Sequence, residues 1–218
     1  EVDEAVLPEL IPQLRPTVLV LMNLFRDQLD RYGELETTIQ KWKEMIESLP
    51  ETTKLIINAD DPALAYLGSL HRNVEFFGLE LTDYGSETIP HAADSLHCQK
   101  CDSPLNFKQV TIGHLGHWEC QNCGFHRPNP SFTGEKINLK GLNGSEFIAA
   151  SKKDSLEIQI PLAGIHNVYN ALTAYAACST IDISTTKIQK GLSTISAAFG
   201  RNEIINFDGI ELMIMLAK

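Results

Sequence analysis

The hydrophobic positions of this chain follow strand spacing and helix spacing in alternation. Residues 17–22 form a continuous apolar run rich in Val and Leu, which predicts a buried parallel strand. Residues 34–49 carry apolar side chains three and four positions apart, so they predict an amphipathic helix that ends at Pro50. Residues 54–58 predict a second strand. Strands that alternate with helices in this way are typical of a parallel sheet with crossover helices.

The later part of the chain adds antiparallel strands to this pattern. Residues 138–164 alternate apolar and polar side chains around a Gly-Leu-Asn-Gly turn at 141–144, which predicts strands joined by turns. The remaining predicted elements are helices at 62–70, 168–178 and 184–196, a strand at 73–77 and a hairpin at 207–215. An α/β fold with a mostly parallel sheet is therefore expected.

The alternation breaks between residues 91 and 130, where four cysteines form two C-x-x-C pairs. Cys98 and Cys101 make the first pair, and Cys120 and Cys123 make the second. This spacing is typical of a zinc ribbon, in which a hairpin between the pairs brings four thiolates around one Zn²⁺. Four protein ligands leave no open position on the ion, so the predicted zinc is structural. Two disulfides would also suit the spacing, but nothing else in the sequence is typical of a secreted protein.

Other residues near the cysteines have two possible roles each. Phe107, Trp118 and Phe125 form either the small core of the ribbon or a contact surface, and so small a module favours a core. The histidines that could replace a thiolate are His97, His114, His117 and His126. Because four cysteines already complete the ligand set, we expect none of these histidines to bind the metal.

The composition indicates which partners and which cellular compartment to expect. The 218 residues carry a net charge of −10, which opposes non-specific binding to nucleic acid. Hydrophobic residues make up 43% of the chain, yet no apolar run reaches the roughly 18–20 residues of a membrane-spanning helix. We expect a cytoplasmic protein with reduced cysteines and no nucleic-acid partner, in which Cys178 is a buried small apolar residue.

Two motifs lie where a parallel sheet binds ligands. Asn58-Ala-Asp-Asp-Pro62 follows a predicted strand, and Asp60 or Asp61 could accept hydrogen bonds from a ribose or a base. A helix N-cap followed by Pro suits the same residues equally well. In Gly164-Ile-His-Asn-Val-Tyr-Asn170, Asn167 and Asn170 lie one helical turn apart, and their carboxamides could bind a purine edge. Capping of the helix by Asn167 is the alternative.

Three further polar segments are less specific. The loop Asp27-Gln-Leu-Asp-Arg-Tyr32 could hold catalytic groups or form a solvated turn. Arg201 could bind phosphate or be exposed, and Glu1 could ligate Mg²⁺ or belong to a charged terminus.

Taken in order, these motifs resemble the central ATP-binding domain of the Mur ligase family. They are E-V-D-E, N-x-F-x-D-Q-L-D-R-Y-G-E, N-A-D-D-P, G-x-H-N-x-x-N-A-L-x-A and F-G-R. The resemblance implies a Mur ligase central domain at residues 1–92 and 131–200, a zinc-ribbon insertion at 93–130 and the start of a C-terminal ligase domain at 201–218. Because of the inserted ribbon, the chain resembles one kind of family member in particular, a subunit that amidates lipid II together with a GatD-type glutaminase.

The resemblance also implies a chemistry and a set of ligands. ATP would phosphorylate the α-carboxylate of D-glutamate in the lipid II stem peptide, and ammonia from the glutaminase would attack the acyl phosphate at the inner face of the membrane. By motif, Arg201 would approach the phosphates and Glu1 would bind Mg²⁺. The residues implied to hold adenosine are Asn58, Asp60, Asn167 and Asn170.

The chain departs from the family pattern in three ways. Gln28 stands where amino-acid-adding members have His, and spacing does not choose between Lys41 and Lys43 as the carbamylated lysine. No G-x-x-x-x-G-K-[ST] loop occurs, so the resemblance places that loop before Glu1 and the main catalytic groups after Lys218. We therefore expect these 218 residues to be inactive alone. A ligase that adds an amino acid and a non-catalytic zinc-ribbon scaffold are the alternatives.

Overall fold

A six-stranded sheet carries most of the fold in this computed structural model, which describes residues 1–25, 35–90, 93–196 and 203–214. The order of the strands is β1-β2-β3-β6-β7-β8. Their bounds are β1 Val18–Leu21, β2 Lys54–Asn58, β3 Val74–Leu79, β6 Phe132–Leu139, β7 Ser145–Ser151 and β8 Ser155–Ile160. The described helices are α1 Leu7–Leu14, α2 Leu35–Glu47, α3 Pro62–Gly68, α4 Ile165–Thr180 and α5 Thr185–Ser193.

The strands in one half of the sheet pair in parallel, and those in the other half pair antiparallel. β1, β2, β3 and β6 pair in parallel, and β6–β7 and β7–β8 pair antiparallel. A short 3₁₀ helix, Gly141–Asn143, joins β6 to β7. The structure confirms the predicted α/β class with its mostly parallel sheet.

Apolar side chains form a core on each face of this sheet. On one face, α4 and α5 cover the strands, and Leu172 and Tyr175 of α4 are almost fully buried. On the other face, α1, α2 and α3 bury residues such as Ile46 and Leu64 against β1 and β2. The side chains of β1 and of residues 55–57 in β2 are apolar on both faces because helices cover both. None of the helices in the described parts of the chain is long and apolar enough to cross a bilayer.

Helix α1 is an element that the sequence pattern did not predict. Pro8 lies in the first turn, where proline is tolerated, but Pro12 lies inside the helix, where a proline normally removes a backbone hydrogen bond. The apolar face of α1 nevertheless buries Leu7 and Ile11, and the Trp42 indole donates a hydrogen bond of 3.0 Å to the carbonyl of Glu4. Tertiary packing therefore outweighs the unfavourable local sequence.

Two hairpins lie outside the main sheet. The ribbon hairpin consists of β4 Asn106–Ile112 and β5 Leu115–Glu119, in the chain segment that leaves the sheet after β3 and returns at β6. The second hairpin, β9 Glu203–Phe207 and β10 Ile210–Ile214, turns at Asp208-Gly209, inside the segment 207–215 that was predicted to form a hairpin. The division into domains at residues 92, 130 and 200 stays a prediction.

Candidate nucleotide site and metal centre

The carboxylate of Asp60 joins three separate parts of the structure at the carboxyl end of β2. Its side chain has no exposed surface. Oδ1 accepts a hydrogen bond of 2.6 Å from Nε of Arg127, which follows the second cysteine pair. Oδ2 accepts from the backbone N–H of Leu79 at 2.9 Å and from the hydroxyl of Tyr169 at 2.7 Å. One buried carboxylate therefore connects the sheet, the ribbon and helix α4.

The neighbouring Asp61 combines the helix cap that the sequence suggested with a second contact to the ribbon. Its Oδ1 accepts from the N–H groups of Ala63 and Leu64, so Asp61 is the N-cap of α3 and Pro62 occupies the first turn. Its Oδ2 accepts from the N–H of Leu24 at 2.8 Å and lies 3.2 Å from Nε2 of the fully buried His114. Asp61 thereby ties the end of β1 to the tip of the ribbon hairpin.

Asn58 is the last residue of β2, just before these two carboxylates in the chain. It is 1% exposed, and its Oδ1 accepts a hydrogen bond of 3.0 Å from the N–H of Asp60. Its side-chain nitrogen has no hydrogen-bond partner among the described residues. The prediction that Asn58 and Asp60 hold adenosine stays a prediction, because both side chains lie out of contact with solvent in this structure.

Asn167 and Asn170 lie in the first two turns of α4. Asn167 is partly exposed and Asn170 is exposed. The side-chain nitrogen of Asn170 donates to Oδ1 of Asn167 at 3.2 Å, and that of Asn167 donates to the carbonyl of Ala163 at 2.8 Å. Gly164, not Asn167, occupies the N-cap position, with a positive φ of 93° that favours glycine. The two carboxamides therefore share a surface where a ligand could reach them.

Tyr169 connects this turn to the sheet. It lies between the two asparagines in sequence, but its ring is buried and its hydroxyl reaches Asp60. Burial, and then the negative charge of Asp60, raise the pKa of Tyr169 well above its ordinary value. The structure thus brings the N-A-D-D-P and G-x-H-N-x-x-N motifs into direct contact, although they are 109 residues apart at this bond.

The ribbon hairpin lies on the end of the sheet and is held there by backbone and side-chain hydrogen bonds. The Trp118 indole donates to the carbonyl of Ala59 at 3.1 Å, and the N–H of Gly116 donates to the carbonyl of Asp60 at 2.9 Å. Nε2 of His117 lies 2.8 Å from the carbonyl of Leu79. These contacts bury the backbone groups that a parallel sheet would otherwise expose at this edge.

The four cysteines form a cluster with the geometry of a tetrahedral metal site. All four sulfurs lie within 4.8 Å of one another, and the shortest pairs, Cys98–Cys123 and Cys101–Cys120, are 3.6 and 3.5 Å apart. A tetrahedral Zn²⁺ with bonds of about 2.3 Å places its sulfurs about 3.8 Å apart, so the four thiols fit this ion. None of the four is in a disulfide.

The environments of the thiols differ across this cluster. Burial raises the pKa of Cys98 to about 12, whereas the side-chain hydrogen bond to Asn122 lowers the pKa of Cys101 to about 6. A bound metal requires all four thiolates, so metal binding must release the proton that Cys98 retains.

The histidines and aromatic residues of the ribbon have structural positions. His114 lies beside Asp61, His117 beside Leu79, and Nδ1 of His126 is 2.9 Å from the carbonyl of Gly124. As predicted, the aromatic residues form the core of the ribbon: Phe107 and Trp118 are buried, and Phe125 packs against them. This small core also includes Ala65 of α3, so it is continuous with the sheet domain.

Several predicted residues lie outside this site or outside the described structure. Arg201 and the loop that contains Gln28 are not among the described residues. Glu1 is exposed, and its role in binding Mg²⁺ stays a prediction. On α2, Lys41 is exposed and Lys43 is partly exposed.

Arg127 and Tyr169 are functional-site residues that no sequence motif predicted. The signals were present but indirect. Arg127 lies four residues after Cys123, and Tyr169 lies inside the motif that was noted for its asparagines. A carboxylate buried at a strand end requires a cation and hydrogen-bond donors, but a sequence does not show which distant residues supply them.

Residues 3–125, more than half of the chain, match the family described as Mur ligase middle domain, and the chain belongs to this family. It is 30% identical over all 218 residues to the lipid II isoglutaminyl synthase (glutamine-hydrolyzing) subunit MurT of Streptococcus pneumoniae, of which it covers 47%. It is 28% identical to the MurT subunit of Staphylococcus aureus, of which it covers 48%. The chain therefore spans about half the length of these curated relatives.

Solved structures show the same fold. A pseudomurein peptide ligase type C from Methanothermus fervidus superposes with a TM-score of 0.80 at 31% identity, over 96% of this chain and 40% of that one. MurF from Acinetobacter baumannii superposes with a TM-score of 0.60 at 16% identity, over 92% of this chain and 34% of that one. At that identity the second match speaks only for the fold.

The four-cysteine cluster predicts one Zn²⁺ per chain. We expect Cys101→Ser to lower the zinc content and to lower the thermal midpoint by about 10 °C or more, because a structural zinc contributes to folding. Cys178→Ser is the matched control, since Cys178 lies on α4 away from the cluster and should retain both zinc and stability. Metal analysis and thermal unfolding measure the two quantities. A full zinc content in Cys101→Ser would contradict the assignment.

The buried phenol predicts a tyrosine that does not ionise in the folded protein. The neutral phenol of Tyr169 stabilises the folded state fully at pH values below the pKa of an unfolded tyrosine, about 10. This contribution to the free energy of unfolding is lost as the pH rises through the raised pKa of Tyr169 in the folded state. We expect wild type and Tyr169→Phe to gain equal tyrosinate absorbance between about pH 8 and pH 11 while circular dichroism shows both folded.

In denaturant, where every tyrosine is exposed, Tyr169→Phe should gain one tyrosine less than wild type. The same deficit in the folded state would show that Tyr169 ionises normally and is not held by Asp60.

Proposed function

We propose that this chain is the ATP-binding part of a ligase that amidates the α-carboxylate of D-glutamate in the stem peptide of lipid II. The observation that carries the proposal is the contact between Asp60 and Tyr169, which joins the two nucleotide motifs beside the four-cysteine ribbon. Similarity to the MurT subunits over the whole chain supports the same activity.

The proposed reaction has two steps. An oxygen of the substrate carboxylate attacks the γ-phosphorus of ATP. The bond from that phosphorus to the β,γ-bridging oxygen breaks, so an acyl phosphate forms and ADP leaves with the bonding pair. The nitrogen of ammonia then attacks the acyl carbon, phosphate leaves with the C–O bonding pair, and the nitrogen loses a proton. Several negatively charged oxygens meet in both steps, so Mg²⁺ and cationic side chains must offset their charge. We assign Glu1 to the magnesium ion and Arg201 to the phosphates.

We place adenosine against the first turn of α4. Asn167 and Asn170 are accessible there, and each carboxamide offers the donor and the acceptor that a purine edge requires. Asn58 and Asp60 belong to the same site but lie beneath it, and their buried hydrogen bonds hold the turn in place. The cysteine cluster would carry a structural Zn²⁺, which leaves the ion no position for substrate.

The proposed activity implies partners and a location. A GatD-type glutaminase subunit would supply ammonia from glutamine, and the membrane-anchored lipid II would be the acceptor. The enzyme would therefore act in the cytoplasm at the inner face of the membrane. A net charge of −10 is consistent with the absence of a nucleic-acid partner from this proposal.

A second candidate function follows from the match to the pseudomurein peptide ligase. That structure is as similar in sequence as the MurT subunits are, at 31% identity. In this alternative the same acyl phosphate is attacked by the amino group of an amino acid or peptide, and no glutaminase takes part. The two candidates differ in the nucleophile and not in the ATP site.

The asparagine pair gives the most direct test of the ATP site. We expect Asn167→Ala and Asn170→Ala, in the full-length protein expressed with its glutaminase, to raise the KM for ATP about tenfold each, because each loses hydrogen bonds to the base. Asn143→Ala is the matched control, since Asn143 is exposed on the short 3₁₀ helix. Amidation of lipid II with glutamine and ATP is the assay.

The same assay separates the two candidate functions. Incorporation of nitrogen from glutamine supports the amidating ligase, and incorporation of a free amino acid or peptide supports the alternative. An unchanged KM for ATP in both asparagine variants would contradict the proposed adenosine site.

A further inference from the structure

A cationic side chain of the ribbon, Arg127, balances the negative charge of Asp60. The carboxylate has no exposed surface, and the guanidinium of Arg127, with 10% of its side chain exposed, makes the ion pair with it. The planar guanidinium also donates from Nη2 to the carbonyl of Leu79 at 2.9 Å. Arg127 thus binds two acceptors at the end of the sheet, a geometry that a lysine ammonium does not reproduce.

Gly78 provides an independent sign that this ion pair is built into the fold. A Cβ atom at position 78 of β3 would overlap Oδ1 of Asp60 and lie 2.6 Å from Nη2 of Arg127. The backbone of β3 therefore leaves room for the ion pair only because residue 78 has no side chain.

The position of Arg127 depends on the ribbon. Its backbone N–H donates to the carbonyl of Trp118 at 3.0 Å, and Trp118 in turn binds the carbonyl of Ala59. Arg127 also follows Cys123 by only four residues. A ribbon folded around its metal therefore delivers the guanidinium to Asp60.

The other oxygen of Asp60 holds the nucleotide helix. It accepts a hydrogen bond from the hydroxyl of Tyr169, and Tyr169 lies between Asn167 and Asn170 on α4. Without a cation on Oδ1, a buried carboxylate is strongly unfavourable, and water or a proton would have to replace the missing partner. Either change alters the acceptor on which Tyr169 depends.

We propose that Arg127 is a positioning residue of the nucleotide site, through which the zinc ribbon holds the asparagine turn of α4 in its ATP-binding arrangement. The chain of contacts runs from Arg127 through Asp60 to Tyr169, and the backbone of α4 links Tyr169 to Asn167 and Asn170. In this role the ribbon is a part of the nucleotide site. The proposal rests on the proposed ATP site but not on the identity of the nucleophile.

The test compares three variants of the full-length protein by calorimetric titration with a non-hydrolysable ATP analogue. We expect Arg127→Met to bind the analogue about tenfold more weakly than wild type. Lys108→Met, which removes an exposed cation from β4 of the ribbon, is the charge-matched control and should bind as wild type does. In the lipid II assay, the loss should fall on the KM for ATP and leave kcat little changed.

The double variant Asp60→Asn with Arg127→Met distinguishes positioning from general loss of structure. Its neutral carboxamide needs no cation and can still accept from Tyr169, so we expect most of the affinity lost in Arg127→Met to return. Thermal midpoint and zinc content are measured on every variant, and the double variant keeps the test valid if Arg127→Met does not fold.

Three outcomes overturn the proposal or its premise. Wild-type affinity in a folded, zinc-replete Arg127→Met overturns it. So does a folded double variant that binds no better than Arg127→Met. If wild type itself does not bind the analogue, the proposed ATP site fails and the proposal fails with it, and that result differs from the other two.

Discussion

The burial of one carboxylate constrains the rest of this structure. Asp60 lies at the end of a parallel strand with no exposed surface, and such a charge must be surrounded by a cation and by hydrogen-bond donors. The donors come from β3, from α4 and from the last residues of the ribbon, which are distant in sequence. Each contact therefore fixes one element relative to another. The position of the ribbon on the sheet and the position of α4 follow from the same requirement.

This constraint changes the expected role of the zinc ribbon. An insertion between two neighbouring strands of a sheet could project into solvent as an independent module. Here its small core includes Ala65 of α3, its hairpin binds the backbone of Ala59 and Asp60, and its last contact is the ion pair of Arg127. Folding of the ribbon is thereby linked to the edge of the sheet where α/β folds bind their ligands.

The sequence predicted the features that depend on local patterns. Residues 54–58 were predicted as a strand at the bounds that the structure has, because a short apolar run between Pro50 and Pro62 allows little else. The cysteine spacing predicted the cluster, since two tight turns and a hairpin bring four sulfurs together. Helix α1 was not predicted because Pro12 disfavours a helix locally, and the tertiary packing that stabilises α1 leaves no local signal. Arg127 and Tyr169 were missed because a contact across 67 or 109 residues leaves no periodic signal.

Hydrogen–deuterium exchange on the full-length protein, with zinc bound and with zinc removed, measures directly whether the ribbon and α4 are linked. If Asp60 joins the ribbon to α4, removal of zinc should speed exchange in residues 93–130 and also in the first turns of α4, at 165–173. Faster exchange confined to residues 93–130, with α4 as protected as before, would show that the ribbon folds independently of α4. That result would contradict a structural link through Asp60.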